Sequence, residues 1–310
     1  MRISAVICTH NRLGYARAAL SSLLGQSLAP SVFEILVVDN ASTDGTFAAL
    51  SAEFGQAPNL RLLREPRLGL SQARNTGWLE ARGEYVAYLD DDAQAAPGWL
   101  AAVLAAFASR RPKPGCVAGR ILPAWEAPRP AWLSDELALC LAILDWGEEP
   151  LVLGPDRHFA GANMAFPRRV IEAAGGFAEF LGRKGGTLLS NEEILLRRHL
   201  ESQGLATLYA PEALVTHSIQ AARLQPGWFT RRSYWQGVSE AVMSRRDRGL
   251  TWGQRLRLVL RVLPHFISPP RKLFWMFAPT NDPGRFDLKC AGYGTLGFVS
   301  GLLGLEDGVL

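Results

Sequence analysis

The sequence predicts an α/β fold in which helices flank a mostly parallel sheet, with a helical appendage at the C-terminus. Short apolar runs and helical patterns alternate four times within the first hundred or so residues, an order that implies right-handed crossovers between parallel strands. Three of the apolar runs end in polar loops. The last third of the chain is basic and contains an amphipathic helical pattern, which favours a separate helical region.

The predicted strands are short, apolar and rich in β-branched or aromatic residues, as expected for buried strands. Between them, apolar residues recur at helical spacing; in the first helix, Ala16, Leu20, Leu23 and Leu24 lie on one face. We expect Ser71 to cap the third helix. The strands are predicted at residues 3–8, 33–38, 60–63 and 85–89.

Polar side chains follow the strands at the edge of the sheet where ligands bind in open α/β folds. Thr9, Asp39 and Asp90 stand at the ends of three predicted strands, so that their loops should line one crevice. The first loop is not a Gly-x-Gly-x-x-Gly fingerprint, and the chain has no Walker Gly-x-x-x-x-Gly-Lys sequence. A nucleotide at this edge would therefore be held by Asp, Asn and Arg side chains and a metal ion.

Three consecutive carboxylates, Asp90, Asp91 and Asp92, follow the fourth strand. They repel one another, and a divalent cation that takes oxygen ligands would relieve the repulsion. Mg²⁺ usually holds one or two carboxylates and completes its shell with water and substrate phosphate. The alternative is a solvated acidic turn before the helix that begins near Pro97.

Composition and charge describe an ordinary globular protein. The 310 residues fit one large domain with an appendage or two domains, and we expect the α/β domain over 1–220 and a helical region over 221–310. Residues 219–310 contain 13 Lys and Arg and 6 Asp and Glu, a net charge of +7, against −3 for residues 1–218. The four cysteines are far apart, which fits a reducing compartment. The N-terminus enters a strand at once, without the apolar region of a signal peptide.

Taken together in order, the polar motifs resemble those of glycosyltransferase family 2, inverting enzymes with the Rossmann-like GT-A fold. The resemblance extends from about Met1 to His217; each motif alone is weak, but the ordered set is strong. It implies that residues 1–220 form a nucleotide-sugar-binding catalytic domain. The motifs that carry it are Cys8-Thr9-His10-Asn11-Arg12, residues 37–46, Ala73-Arg74-Asn75-Thr76-Gly77, Asp90-Asp91-Asp92, Gly175-Gly176-Phe177, Asn191-Glu192-Glu193 and Val215-Thr216-His217.

The resemblance implies a role for residues in the first three motifs. A first nucleotide-binding loop would be formed by Thr9, Asn11 and Arg12. Asp39 would accept a hydrogen bond from the base, most simply from the imide N–H of uracil. Arg74 would approach the nucleotide or its phosphates.

The later motifs would supply the metal site and the catalytic base. Asp90 and Asp92 resemble the family's Asp-x-Asp pair, with Asp90 toward the ribose and Asp92 on a Mg²⁺ or Mn²⁺ ion, and both are candidate metal ligands. His217 can complete the metal shell or touch the diphosphate. A lone histidine is more often structural. Glu192-Glu193 stands where the family often has Glu-Asp, and either carboxylate is a candidate base. Acidic residues in the first turn of a helix also serve simply to compensate its dipole.

These residue types suit the direct displacement of a nucleoside diphosphate from a sugar. A metal ion offsets the negative charge on the leaving phosphates, while a carboxylate removes the proton of the attacking hydroxyl. The implied partners are a nucleotide-sugar donor, for which a UDP-sugar is the first expectation, and a lipid-linked or oligosaccharide acceptor. Nucleic acid is not an expected partner. Two alternatives are a sugar-nucleotide nucleotidylyltransferase and a non-catalytic carbohydrate-binding scaffold. The absence of a Gly-rich pyrophosphate loop counts against the first, and the complete set of acidic residues against the second.

The C-terminal region predicts contact with a membrane surface. Residues 251–263 form a helical pattern with arginines 257 and 261 opposite an apolar face, which is typical of an interfacial helix. The predicted apolar face consists of Trp252, Leu256, Val259, Leu260 and Leu263. Residues 271–277 add Arg271 and Lys272 beside aromatic residues. Residues 290–305 are uncharged but short and Gly-rich for a membrane span. We expect a cytoplasmic protein attached peripherally to the cytoplasmic face of an anionic membrane; the alternative is a helical subdomain or a dimer contact.

Overall fold

A computed structural model describes residues 1–110, 112–267 and 271–308, and it contains one mixed β-sheet of nine strands. The mostly parallel α/β sheet and the helical C-terminal region that the sequence predicts are both confirmed. The strands are β1 (Ile3–Thr9), β2 (Phe33–Asp39), β3 (Leu60–Arg64), β4 (Tyr85–Asp90), β5 (Ala93–Ala95), β6 (Cys116–Trp125), β7 (Leu151–Val152), β8 (Asn163–Pro167) and β9 (Thr207–Ile219).

The helices are α1 (Leu13–Leu24), α2 (Thr46–Phe54), α3 (Leu70–Glu80), α4 (Trp99–Ala108), α5 (Asp135–Ala138), α6 (Arg168–Ala173), α7 (Glu192–Ser202), α8 (Pro226–Asp247), α9 (Trp252–Ile267), α10 (Arg271–Phe277) and α11 (Pro283–Leu303). Helices α1 to α3 alternate with β1 to β4, α4 follows β5, and longer helices follow β9. The expected cap of α3 is wrong: Gly69 precedes the helix, and Ser71 is buried within its first turn.

The parallel part of the sheet brings the predicted polar loops to one edge. Its strand order is β3-β2-β1-β4, with all three pairs parallel. The register pairs Thr9 with Asp39 and Cys8 with Asp90, so that β1, β2 and β4 end at the same level. Loops that leave these three strands therefore start side by side.

The antiparallel part continues the sheet from β4 in the order β8-β6-β9-β5, and β7 also pairs with β9. The short strand β5 follows the acidic triple directly and pairs with the end of β9, where His217 is opposite Ala93. This pairing places His217, from late in the chain, next to the strand that begins directly after the acidic triple. A hydrogen bond of 2.8 Å from Ser218 N to Asp92 O fixes it there.

Apolar residues pack on both faces of the sheet, as the uninterrupted apolar strands require. One cluster lies under α1 and α4 and includes Trp99, which is fully buried. The other lies under α3 and includes Tyr88 and Phe177. Gly77 allows α3 to approach the sheet closely, because a Cβ at this position would lie 2.5 Å from Val6 Cγ1.

The chain forms two compact units, with residues 1–124, 142–179 and 193–218 in the first. The second contains 125–141, 180–192 and 219–310, so it includes two segments upstream of the boundary expected at residue 220. In the second unit, α8 and α11 touch backbone to backbone through glycines: a Cβ on Gly237 would lie 1.9 Å from Gly294 O. Close packing against α8 also explains Gly297 and Gly301 of the uncharged segment 290–305, where a Cβ would lie 1.9 Å from Tyr234 O and 2.8 Å from Ala241 Cβ, respectively. Among the helices in the described residues, none is long and apolar enough to cross a membrane.

Candidate active site

The acidic triple at the end of β4 is compensated by side chains from three other parts of the chain. Asp91 is buried and accepts hydrogen bonds from Thr9 Oγ1 at 2.8 Å and from Arg12 Nη1 at 2.8 Å. Thr9 is the last residue of β1, and Arg12 lies in the loop that follows. The side chain of Asp91, to which the sequence analysis assigns no role, therefore attaches the first loop to the acidic triple.

Asp92 lies between a guanidinium group and an imidazole ring. Arg12 Nη1 donates to Asp92 Oδ2 at 3.0 Å, and His217 Nε2 lies 3.0 Å from Asp92 Oδ1. The side chains of Asp92 and His217 are both 3 % exposed, whereas that of Arg12 is 31 % exposed. Two of the three predicted metal ligands, Asp92 and His217, are therefore adjacent and buried, and Arg12 beside them is more exposed.

Asp90 is the most exposed carboxylate of the triple, with 35 % of its side chain accessible. It accepts a hydrogen bond of 3.2 Å from Arg74 Nη2, and Arg74 is itself buried. The Arg74 guanidinium lies 5.7 Å from the centre of the Phe177 ring, and a Cβ on Gly161 would collide with it at 2.2 Å. A glycine at 161 thus leaves room for the buried arginine, a requirement that appears only in three dimensions.

Asp39, the last residue of β2, is a buried carboxylate with one oxygen that accepts no hydrogen bond from the described residues. Its Oδ1 atom is buried and has no hydrogen-bond donor among the residues that the structure describes. A buried acceptor without a partner is costly, and native proteins keep few of them. The arrangement suits a ligand that brings its own N–H group to this position.

Two asparagines hold the loops of this edge together. Asn11 has a left-handed backbone with φ 53°, and its Oδ1 accepts hydrogen bonds from Thr43 N at 2.7 Å and Asp44 N at 3.2 Å. Asn40 donates to Arg67 O at 2.8 Å and accepts from Gly69 N at 2.8 Å. The Asn11 side chain, expected at a nucleotide, thus fastens the loop after β1 to the loop after β2. A motif-based interpretation misses Asn40, although Asn directly after a strand often organises a turn.

Burial and neighbouring charges shift the pKa values of Asp91 and Arg12 in opposite directions. Burial raises the pKa of Asp91 to about 6, although the neighbouring Arg12 guanidinium acts in the opposite direction. For Arg12, burial lowers the pKa, but the attraction of Asp91 and Asp92 outweighs it and the net pKa is raised. Burial also raises the pKa of Cys8 to about 12, so this thiol beside the triple stays protonated at neutral pH.

The two candidate bases stand at the start of α7. Glu192 is buried and Glu193 is half-buried. Asn191 immediately before them has a left-handed backbone with φ 78°, which turns the chain into the helix. Both residues lie in the first turn of α7, at the positive end of the helix dipole.

The donor atoms fit a divalent cation that is shared with a phosphate ligand. Among the residues described, no group of three His, Cys, Asp or Glu side chains is arranged to hold a metal. Asp92 and His217 provide an oxygen and a nitrogen donor at one place. Two protein ligands suffice for an ion that takes its remaining ligands from phosphate and water.

Sequence comparison with known proteins finds glycosyltransferases. The sequence model described as "Glycosyl transferase family 2" matches residues 4–172, more than half of the chain. A Haloferax volcanii protein named glucosyl-dolichyl phosphate glucuronosyltransferase is 28% identical over 249 residues, covering 78% of this chain and 77% of that protein. A Mycobacterium tuberculosis pre-mycofactocin glycosyltransferase is 27% identical over 249 residues; the alignment covers 78% of this chain and 48%, about half, of that relative.

Solved structures share the fold at low sequence identity. The mannosyltransferase PcManGT from Pyrobaculum calidifontis, in complex with GDP-Man and Mn²⁺, aligns with a TM-score of 0.56 and 20% identity over 100% of this chain and 76% of its own. TarS residues 1–349 from S. aureus, in complex with UDP, aligns with a TM-score of 0.54 and 16% identity over 99% of this chain and 92% of its own. At these identities the likeness shows the fold.

Proposed function

Because the chain belongs to glycosyl transferase family 2, we propose that it is an inverting transferase that moves a sugar from a nucleotide-sugar donor to an acceptor hydroxyl. The observation that carries the proposal is the meeting of Asp39, Arg74 and the acidic triple at the carboxyl edge of β1, β2 and β4. In open α/β sheets this edge binds ligands. A nucleotidylyltransferase and a non-catalytic scaffold have no comparable support from the family match.

The donor is proposed to be a UDP-sugar, with uracil at Asp39. The buried Oδ1 of Asp39 offers an acceptor to the imide N–H of uracil. Arg74 and Arg12 contribute positive charge near Asp90 and Asp91, where the diphosphate would lie. Solved neighbours of the same fold were crystallised with UDP in one case and with GDP-Man in another, so the base is to be decided by titration with UDP and GDP.

A Mg²⁺ or Mn²⁺ ion would be held by Asp92 and His217, with Asp90 at its more exposed side. When bound, the ion supplies positive charge to the leaving diphosphate. Arg12 Nη1 donates to Asp92 Oδ2, and His217 Nε2 lies 3.0 Å from Asp92 Oδ1. For both side chains to bind the ion, these two contacts would have to separate and Nε2 would have to carry no proton. Released from Asp92, Arg12 is still held by Asp91 and remains available to the phosphates.

The acceptor hydroxyl is proposed to lose its proton to Glu193, with Glu192 as the second candidate. A carboxylate accepts the proton as the oxygen attacks the anomeric carbon, and one displacement inverts that centre. Glu193 is the more accessible of the two because it is half-buried, whereas Glu192 is buried. Accessibility favours Glu193 since the base must touch an incoming substrate.

The acceptor is proposed to be lipid-linked, and the protein to work as a peripheral protein on the cytoplasmic membrane face. The Haloferax relative is named for a dolichyl phosphate substrate, and α9 exposes an apolar face. Trp252, Leu256 and Leu260 are each more than half exposed on that face, whereas Val259 is buried against α8 and α11. The side chains of Arg271 and Lys272, expected beside this surface, lie outside the described residues.

The proposal is tested by a screen of nucleotide-sugar donors with Mn²⁺, scored by released nucleoside diphosphate. Lipid-linked and oligosaccharide acceptors are compared, and the products are identified by mass spectrometry and by the configuration of the new bond. An inverted linkage from a UDP-sugar supports the proposal. Exchange of pyrophosphate without glycosyl transfer would instead indicate a nucleotidylyltransferase.

A further inference from the structure

A basic cavity of about 390 Å³ lies at the opposite edge of the sheet from the candidate active site. It opens where β4 begins and β8 ends, and Tyr85 is paired with Pro167 there. Tyr85 and Asp90 are at opposite ends of β4, so the cavity and the acidic triple are about 16 Å apart along the strand. The charged residues that line it are Arg82, Glu84, Lys113, Arg168, Arg169 and Glu172.

The residues that line the cavity carry a net positive charge. Lys113 Nζ lies 3.3 Å from Glu84 Oε1 and donates to the Tyr85 hydroxyl at 2.9 Å, so this cation has partners on the protein. The guanidinium groups of the three arginines, 82, 168 and 169, have no hydrogen-bond or ion-pair partner within the described part of the chain. One of their donors, Arg168 Nε, is buried as well as unpartnered there. Donors that are hidden from water and unsatisfied are costly.

Hydrogen bonds to buried side chains fix the backbone at one side of the cavity. Arg82 N donates to Glu34 Oε1 at 2.6 Å, and Gly83 N donates to Ser4 Oγ at 2.9 Å. Ser4 Oγ in turn donates to the same Glu34 oxygen at 2.7 Å, and both residues are buried. On the other side, Arg168 N donates to Glu84 O at 2.9 Å. The arginine side chains therefore extend from fixed backbone positions, which lowers the entropic cost of gathering them around a ligand.

We propose that this cavity binds a small, multiply charged phosphate anion, at a site independent of the glycosyl transfer proposed above. Arginine matches the geometry of phosphate oxygens with paired N–H donors, and three arginines whose guanidinium groups are unpartnered among the described residues line one cavity. The volume lies at the small end of ligand sites. Four cations against two carboxylates leave a charge of +2, which a diphosphate would more than neutralise.

The test uses pyrophosphate as the probe, titrated calorimetrically into the full chain at low salt without added metal. Arg82→Gln and Arg168→Gln are each expected to weaken binding about tenfold or more, the usual effect of losing a hydrogen bond to a charged group. Arg198→Gln is the matched control, because Arg198 is exposed on α7 in the same unit and its loss changes net charge equally. Arg12→Gln reports any binding at the acidic triple and is expected to leave the pyrophosphate affinity of the cavity unchanged.

Glu172→Gln provides a test in the opposite direction. It removes a negative charge from the lining and should strengthen binding by about fivefold, the effect of one unit charge at about 4 Å in water. A structural role for these residues would not produce such a gain. Pyrophosphate binding that is insensitive to Arg82 and Arg168, or that depends only on Arg12, would overturn the proposal, as would equally tight binding of citrate. Thermal melting of each variant confirms that it remains folded.

Discussion

Asn75 and Phe177 are joined by two hydrogen bonds across 102 positions of sequence. Asn75 Nδ2 donates to Phe177 O at 2.9 Å, and Phe177 N donates to Asn75 Oδ1 at 2.8 Å. The intervening Gly176 has φ 85°, and a Cβ there would lie 2.6 Å from the same Oδ1 atom. Two motifs that are weak signals separately in the sequence are therefore one structural unit that supports Arg74.

Asn75→Ala should destabilise the protein, because it leaves the N–H and C=O groups of Phe177 without their side-chain partner. We expect the free energy of unfolding to fall by about 1–3 kcal/mol in denaturant titrations. Asn59→Ala, at a half-buried asparagine near the start of β3, is the control and should change it by no more than about 0.5 kcal/mol. Equal stability of the two variants would contradict a structural role for the Asn75 side chain.

Asp92→Asn retains the shape of the side chain and removes its charge. We expect glycosyl transfer to fall by about 10²-fold or more, because the charge that opposes the leaving phosphates is no longer held in place. Donor affinity should fall mainly when Mn²⁺ or Mg²⁺ is present. The measurement is UDP binding with and without Mn²⁺, with Asp156→Asn at an exposed site as the control. Full activity of Asp92→Asn, or full activity in excess chelator, would exclude a metal role.

Glu193→Gln removes the proposed base without changing its size. Turnover is expected to fall by about 10²-fold or more while donor binding is retained, which is the usual scale of general-base catalysis. Single-turnover rates and donor affinity should be measured for this variant and for Glu192→Gln side by side. If Glu192→Gln loses turnover and Glu193→Gln does not, the assignment of the base is reversed.

The exposed face of α9 should control binding to membranes. Leu256→Gln combined with Leu260→Gln removes apolar area from this face and should reduce co-sedimentation with anionic vesicles. Leu79→Gln, at an equally exposed leucine on α3, is the control. Binding of the unaltered chain should weaken at high salt because arginines 257 and 261 contribute by charge. Sedimentation of all three proteins to the same extent at low salt would refute the role of α9.

The sequence is sufficient to predict the parallel half of the fold, because its strands are continuous apolar runs and each ends in a polar loop. It also predicts α9, whose apolar and arginine residues recur at helical spacing. It does not predict that Asp91 pairs with Thr9 and Arg12, since nothing in a run of three aspartates distinguishes the middle one. Nor does it predict that Gly161 makes room for Arg74, because the two are distant in sequence. Such contacts depend on strand order and register, which local patterns do not determine.

The bridge from Arg12 to Asp91 and Asp92 means that the chain carries its own counter-ion for the acidic triple. The repulsion among the three carboxylates is already offset by Arg12 and Arg74. Folding and long-term storage should therefore tolerate metal-poor surroundings, and EDTA should leave the melting temperature unchanged in the absence of nucleotide. We expect the metal ion and the nucleotide to bind together and to displace the Arg12 guanidinium from Asp92. Mn²⁺ alone should therefore raise the melting temperature much less than Mn²⁺ with UDP.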